Sequence, residues 1–150
     1  MTDAINIRRL FLEPKATYLI VEVAALLGIA VRELRAWVDS GELEAIDLRA
    51  LVLPWSEVAS FAMEFWSQEA IEEALGSDVA AVIPKLLRLA DLEVRLPRMQ
   101  VVTLERLAAL DGESVSAVLA RELRDLVSVH AEWLSAEVPG FAEALAWPMA

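Results

Sequence analysis

The chain has 150 residues, no cysteine, a formal net charge of −11 and a mean hydropathy of +0.48. The lack of thiols excludes a disulfide framework and thiolate chemistry. No window of 18 residues is free of charge, so we expect no membrane-spanning helix and a cytoplasmic protein. The length allows one large or two small domains. The acidic balance repels phosphate, and any contact with nucleic acid must therefore come from local basic patches.

Residues 1–17 carry the densest basic cluster of the sequence, formed by Arg8, Arg9 and Lys15. Four apolar side chains in this segment predict a short strand or a helical arm, which Pro14 ends. The segment lacks the long apolar core of a signal peptide. Two interpretations of the basic cluster stay open, a solvated arm and an arm that contacts phosphate groups.

Two short amphipathic helices are predicted between residues 18 and 45. Gly28 makes the turn between them, and Gly41 closes the second helix. Their apolar stripes consist of Val23, Leu26 and Leu27 in the first helix and of Val31, Leu34, Trp37 and Val38 in the second. Two short helices joined by a glycine-containing turn predict a helix-turn-helix.

This segment resembles the MerR/excisionase-type winged helix-turn-helix over residues 18–62. The shared pattern is a tyrosine before the first helix, an E-x-A-x-L-L-G core, an Arg-x-Trp in the second helix, a Gly-x-Leu after it, and a Pro-x-Ser-Glu behind the wing. The residues that carry it are Tyr18, Glu22, Ala24, Leu26, Leu27, Gly28, Arg35, Trp37, Gly41, Leu43, Pro54, Ser56 and Glu57. The resemblance implies that the second helix and the wing contact DNA, with Arg32, Arg35 and Arg49 as the site residues.

The segment departs from that family on its DNA-facing side. Ala30 stands where the family has a capping serine or threonine, and Glu33 would face phosphate. The wing, residues 46–53, has no turn glycine and one basic residue, Arg49. Two interpretations stay open, a module that reads DNA and a domain retained for packing or for binding a partner.

One long amphipathic helix is predicted over residues 55–75, with an aromatic and aliphatic side and an acidic side. Gly76 ends this helix. Residues 76–90 are predicted to form a helical connector, in which Pro84 opens a helix over 84–90. The connector is too apolar for a free linker, and we expect it to pack on other residues.

Residues 92–97 alternate apolar and polar side chains, which predicts a half-buried strand ending at Pro97. A first helix follows and stops at Gly112, and Ser114 caps a second helix, which runs on to about Ala136. A single strand has no ladder partner within its own module. The obvious partner is the same strand of a second copy.

Residues 92–127 resemble the ribbon-helix-helix family (MetJ/Arc type) of dimeric DNA-binding repressors. The residues that carry the resemblance are Arg95-Leu96-Pro97 at the strand end and Gly112-Glu113-Ser114-Val115-Ser116 between the helices. The resemblance implies a homodimer paired through residues 92–97, with one strand per chain, whose outward side chains enter the major groove. The site residues that it implies are Glu93, Arg95, Arg98 and Ser114.

No constellation for catalysis is present, since the chain has one histidine, His130, and lacks glycine-rich phosphate loops and metal-ligand motifs. We therefore expect no enzyme, no metal and no cofactor. The expected fold is mainly α, with four parts in chain order. These are a winged helix-turn-helix domain at 1–75, the connector at 76–90, a ribbon-helix-helix module at 91–136 and an apolar tail at 137–150.

The first functional hypothesis is a dimeric DNA-binding transcriptional regulator, with double-stranded DNA and a second copy of the chain as partners. The alternative is an antitoxin or protein-binding adaptor that clasps a toxin or another partner protein and autoregulates its operon. The apolar tail would supply the clasp, because Phe141, Leu145 and Trp147 argue against free solvation. Such a tail either folds back on the core or clasps another chain.

Overall fold

The computed structural model describes residues 2–149, and 67% of the structure is helical, which confirms the mainly-α class. The chain divides into two compact units, unit 1 (residues 2–89 and 143–149) and unit 2 (residues 90–142). The elements of unit 1 are α1 (Thr2–Leu12), β1 (Thr17–Leu19), α2 (Ile20–Leu27), α3 (Val31–Asp39), β2 (Val52–Pro54), α4 (Trp55–Phe65), α5 (Gln68–Leu75) and α6 (Val79–Val82), with 3₁₀ turns at Gly76–Asp78 and Lys85–Leu87. The elements that follow are α7 (Arg98–Asp111), α8 (Val115–Val129) and α9 (Ala131–Glu137) in unit 2, and α10 (Phe141–Ala146), which contains the unit boundary in the sequence. Among the described residues, no helix has both the length and the apolar composition that crossing a bilayer requires.

Unit 1 has one hydrophobic core, to which its helices contribute their apolar faces. The N-terminal segment forms α1, which packs on α5 and α2, and α2 packs in turn on α3 and α4. The most deeply buried side chains are Ile7, Leu10, Val23, Leu34, Leu53, Val58, Ile71, Leu75 and Ile83. Burial of these side chains is the main source of folding free energy in this unit.

The sheet in the described residues is two-stranded and antiparallel, and it lies in unit 1. β1 pairs with β2 in the register Thr17↔Pro54, Tyr18↔Leu53 and Leu19↔Val52, and Asp47 forms a further isolated bridge to Val52. β1 runs directly into α2 and β2 directly into α4. The pairing therefore fixes the starts of both helices and the base of the predicted wing.

The predicted helix pair in residues 18–45 is confirmed as α2 and α3. α2 ends at Gly28, whose φ of +68° lies in the left-handed region that glycine adopts without strain. The Gly28 amide donates to the Ala24 carbonyl and closes the helix. α3 ends at Asp39, two residues before Gly41.

The prediction of one continuous helix over 55–75 is wrong at its centre. α4 ends at Phe65, and Trp66 has an extended ψ of 147°. Ser67 then caps α5, because its hydroxyl oxygen accepts a hydrogen bond from the Ala70 amide (3.2 Å). A capping serine satisfies an amide that the first turn leaves without a partner, and so favours a new helix start at this point.

The connector packs on the core of unit 1, as expected, because Ile83 is almost completely buried. The predicted helix at 84–90 is wrong, since only Lys85–Leu87 form a single 3₁₀ turn. A side chain of α5 accounts for the stop. Glu72 accepts a hydrogen bond from the Leu89 amide (2.8 Å), which a longer helix would need for its own ladder.

The C-terminal residues fold back on unit 1. The Trp147 ring lies 6.4 Å from the Phe11 ring and 6.3 Å from the Trp55 ring, centroid to centroid. Phe11 and Trp55 also meet edge to face at 6.5 Å. Of the two alternatives for the tail, the structure has the one in which its tryptophan joins an aromatic cluster of the same chain.

Unit 2 consists of α7 and α8, packed on one another, followed by α9. Gly112 ends α7 with a φ of +66°, and Ser114 caps α8 through a hydrogen bond from the Ala117 amide (3.0 Å), so both predicted boundaries are confirmed. The predicted extension of the second helix to Ala136 is wrong at His130, where φ is −103° and ψ is 10°. The valine- and serine-rich end of α8 explains the break, because such residues are weak helix formers.

The predicted strand at 92–97 is not formed in this single chain. Residues 91–97 belong to no helix, strand or turn, and α7 begins directly after Pro97. A strand requires a ladder partner, which the prediction takes from a second copy. Pairing of two chains through this segment therefore stays a prediction.

Candidate nucleic-acid interfaces

Glu22 anchors the start of α2. One of its oxygens accepts a hydrogen bond from the Leu19 amide (2.8 Å), and the other pairs with the Lys15 ammonium, which also lies over the Tyr18 ring. The Lys15 ammonium and the Leu19 amide hold the pKa of the Glu22 carboxyl below its usual value, because both favour the charged form. The glutamate of the E-x-A-x-L-L-G pattern is thus a capping residue that sets where the helix pair begins.

We expect Glu22→Gln to destabilise unit 1 at pH 7 and to do so less as the pH falls. The folded-state pKa of Glu22 lies below the ordinary value of 4.5, so its contribution is complete above that value and is lost as the pH falls through the lower, folded-state pKa. Urea unfolding of the wild-type protein and of Glu22→Gln, at pH 7 and at pH values below 4.5, measures the difference in their free energies of unfolding. Glu64→Gln is the control, because Glu64 is exposed and has no ion pair within residues 2–149. A stability difference that persists at low pH for Glu22→Gln would contradict the assigned role.

α3 presents Arg32 and Arg35 to solvent. Leu34 and Val38 hold the other side of the helix in the core. Neither guanidinium group forms an ion pair with any residue from 2 to 149. Glu33 lies between them in the sequence and is exposed, but helix geometry places it nearer to Trp37 than to either arginine. One side of the helix therefore offers two unpaired cations to a ligand.

The structure shows what stands at Ala30, where a capping side chain is missing, and in the predicted wing, which lacks a turn glycine. Ala30 begins α3 without any side-chain capping hydrogen bond. In the predicted wing, residues 46–53, the Asp47 carboxylate accepts hydrogen bonds from the amides of Arg49 (2.8 Å) and Ala50 (3.3 Å), and Leu51 takes a φ of +52°. The turn of this segment is thus closed by an aspartate, and Arg49 lies at an exposed position within it. An aspartate two residues before Arg49 was the sequence signal for this turn.

Two cations of the N-terminal basic cluster are engaged within unit 1. Arg8 donates to the Ala74 carbonyl at the end of α5 (3.0 Å) and pairs with Asp78 (2.8 Å). A cation at a helix C-terminus is favourable because it faces the negative end of the helix dipole. Lys15 is paired with a carboxylate at the start of α2, while Arg9 is exposed and has no ion pair in the described residues. Of the three basic side chains in this arm, Arg9 is therefore the one that has no intramolecular partner in the described residues and could contact phosphate.

Glu93, Arg95 and Arg98 are exposed in unit 2, and none of them forms an ion pair with another described residue. Arg98 is the first residue of α7. Ser114 plays a different part from the one implied for it, because its oxygen accepts the Ala117 amide and caps α8. The structure thus places three of the four implied residues on one short segment and uses the fourth to start a helix.

Arg121 is a residue of this region that the sequence did not single out. Its guanidinium pairs with Glu113 (2.9 Å) and with Asp111 (3.2 Å) across the turn between α7 and α8. Glu113 and Asp111 raise the pKa of Arg121, because both favour its charged form. One cation against two carboxylates leaves the start of α8 with a net negative charge, which is unfavourable for a phosphate contact there.

Unit 2 leaves most of its large apolar side chains exposed. Among its residues only Ala108 and Val118 are buried, whereas Leu92 is 80% exposed and Leu110 is 81% exposed. We call the exposed set the unit 2 apolar surface. Its members are Leu92, Val94, Leu96, Met99, Val101, Val102, Leu107, Leu110, Val115, Leu123, Leu126, Val127, Val129 and Trp133. Exposed apolar area on this scale is typical of a surface that is covered by a partner.

The candidate cations thus fall into two groups, each within one unit. Arg32 and Arg35 share one face of α3, with Arg49 on the wing, and Arg95 and Arg98 lie before and at the start of α7. Chemically, each group can donate hydrogen bonds to phosphate oxygens or to the acceptor edge of guanine. Comparisons of this chain with models of known protein families, with curated proteins and with solved structures found no match.

Proposed function

We propose that the chain is a dimeric DNA-binding regulator of transcription, in which α3 and the wing contact double-stranded DNA. The observation that carries the proposal is the set of exposed, unpaired guanidinium groups on these two elements, those of Arg32, Arg35 and Arg49. Arg8, Lys15 and Arg121 differ from these three, because each is held in an intramolecular ion pair. Exposed arginines on a helix that follows a tight turn suit the docking geometry of a recognition helix.

The unit 2 apolar surface supports the dimeric part of the proposal. A unit of 53 residues that buries only two of its side chains has little core of its own, and a second copy supplies the missing apolar contacts. Pairing of the segment 92–97 with its copy would also satisfy the backbone groups that this segment leaves without a ladder. Two copies place two such groups of cations on one duplex, so that their local contacts with phosphate add.

The alternative proposal, an antitoxin or adaptor that clasps a protein with its tail, receives less support from the geometry. Trp147 lies against Phe11 and Trp55, so a clasp would first have to release these aromatic contacts. Contacts of this kind between aromatic rings are each worth about 0.5–1.5 kcal/mol beyond the burial of their area. The DNA-binding proposal requires no such rearrangement.

We expect the double variant Arg32→Ala/Arg35→Ala to bind DNA more weakly than the wild-type protein. If both side chains contact phosphate, the slope of log K against log salt becomes shallower by about two per protomer. The measurement is fluorescence anisotropy or a gel shift with the DNA upstream of the protein's own reading frame, at several salt concentrations.

Arg106→Ala/Arg124→Ala is the matched control for that measurement. It removes the same charge from exposed positions of unit 2, outside both groups of candidate cations. Equal losses of affinity in the two double variants would show that the total charge, rather than α3, governs binding. An affinity and slope unchanged by the α3 substitutions would remove α3 from the DNA-binding surface.

A further inference from the structure

Three aromatic rings form a partly exposed row across α3 and α4. The ring of Trp37 lies 4.9 Å from the ring of Phe61, and Phe61 lies 6.3 Å from Phe65, with the two phenylalanine rings nearly parallel. Trp37 and Phe61 are half-buried against the core, and Phe65 is 44% exposed. We call this row the aromatic ladder. The exposed part of the Phe65 ring offers an aromatic face to a ligand.

The surroundings of the aromatic ladder are acidic. Residues 50–84 contain six carboxylates and no lysine or arginine. Glu57 lies four residues before Phe61 on α4, Glu64 lies three residues after it, and on α3 Glu33 lies four residues before Trp37. Residues three or four apart are neighbours on a helix surface. None of these three carboxylates has an ion-pair partner within residues 2–149.

The aromatic ladder faces away from the candidate cations of α3. At about 100° per residue, Arg32 and Arg35 lie roughly opposite Trp37 around the helix axis. One side of α3 is therefore basic and polar, and the other is aromatic with a carboxylate beside it. The two sides suit ligands of opposite charge.

We propose that the aromatic ladder, with Glu33, Glu57 and Glu64, is a docking surface for an arginine- and lysine-rich segment of another protein. Aromatic faces attract guanidinium and ammonium groups, and carboxylates at the rim pair with the same groups. Charge complementarity selects this occupant. Nucleic acid is repelled by the unpaired carboxylates, and a second copy would bring the same carboxylates together. The surface is separate from the proposed DNA contact, so its occupation does not depend on DNA binding.

The test uses the full-length protein and a defined probe. The probe is a fluorescein-labelled peptide of 14 residues, built from arginine and leucine in the pattern of an amphipathic helix, and the same peptide with glutamate in place of arginine is its control. We expect the wild-type protein to bind the arginine peptide and not the glutamate peptide. Phe65→Ala and Phe65→Leu should each weaken binding about five- to tenfold, because both remove the aromatic face while the second keeps an apolar side chain.

Matched variants separate the site from the overall charge. Glu57→Gln/Glu64→Gln should weaken binding and flatten its salt dependence, whereas Glu105→Gln/Glu122→Gln, with the same charge change in unit 2, should leave both unchanged. Leu48→Ala removes an exposed apolar side chain of the wing, 73% exposed, and should also have no effect.

Three outcomes would overturn the proposal. The first is equal weakening by the two pairs of glutamine substitutions, which would reduce the attraction to net charge. The second is unchanged binding by both Phe65 variants, with circular dichroism confirming their fold. The third is a change in sedimentation of the free protein on Phe65→Ala, which would mean that a second copy covers the aromatic ladder.

Discussion

Replacing Val94 by proline is expected to dissociate the proposed dimer and to unfold unit 2. Proline removes a backbone amide from the segment that would form the paired strands, and it does not fit the middle of a strand. Unit 2 cannot compensate, because only Ala108 and Val118 are buried within it. Sedimentation velocity at several protein concentrations measures the dimer, and circular dichroism measures the helices.

Val94→Thr is the control for this substitution. Threonine keeps the backbone amide and the β-branched shape, so we expect a weakened dimer with intact helices. A wild-type protein that sediments as a stable, folded monomer at micromolar concentration would contradict the proposed pairing through residues 92–97. The unit 2 apolar surface would then have to be covered by something other than a second copy paired through this segment.

Phe11→Ala is expected to lower the free energy of unfolding of unit 1 by about 3–5 kcal/mol, the usual cost of truncating a buried aromatic side chain. Phe11 is 4% exposed, and its ring contacts those of Trp55 and Trp147. The substitution therefore opens a cavity and also removes the contact that holds the C-terminal residues. Urea unfolding followed by circular dichroism measures the change, and tryptophan fluorescence reports the aromatic cluster.

Phe65→Ala is the matched control, because it truncates the same residue type at an exposed position of the same unit. We expect it to cost less than about 1 kcal/mol. Similar losses of stability for the two phenylalanine variants would contradict the described packing of Phe11. A small loss for Phe11→Ala alone would show that the C-terminal tryptophan does not rest on this cluster in solution.

If α3 contacts DNA as we propose, the separation of its basic side from its aromatic side explains how an acidic chain can do so. Arg32 and Arg35 gain from local attraction to phosphate, while Glu33 and the distant carboxylates reduce it. Because salt screens exposed charges over a distance of about 10 Å at 0.1 M, only nearby groups decide the sign of the interaction. The proposed DNA contact is thus small, and a dimer is needed to double it.

The helix boundaries set by local chemistry could be predicted from the sequence. Gly28 and Gly112 end helices in the left-handed conformation, and Ser114 caps α8 through its own hydroxyl group. These effects need only residues within one turn of each other. Helix periodicity also predicted the exposure of Arg32 and Arg35, and the predicted wing that of Arg49.

The partners of charged side chains could not be predicted in the same way. Arg8 meets Asp78 across seventy positions of sequence, and Arg121 meets Asp111 and Glu113 across a turn. Periodicity places a side chain on a face, but it does not give the face of another helix that comes to lie against it. The sequence therefore left Arg8 as a candidate phosphate contact and did not single out Arg121, whereas the structure holds both in ion pairs.

The sequence by itself determined the mainly-α class, the helix pair around Gly28 and the helix starts and stops that depend on neighbouring residues. Only the tertiary structure decided the stop after Lys85–Leu87 and the return of Trp147 to unit 1. The physical reason is the range of the interactions. Caps and left-handed glycines act within about one helical turn, whereas burial of an aromatic ring or of a chain segment depends on residues that are distant in sequence and adjacent only after folding.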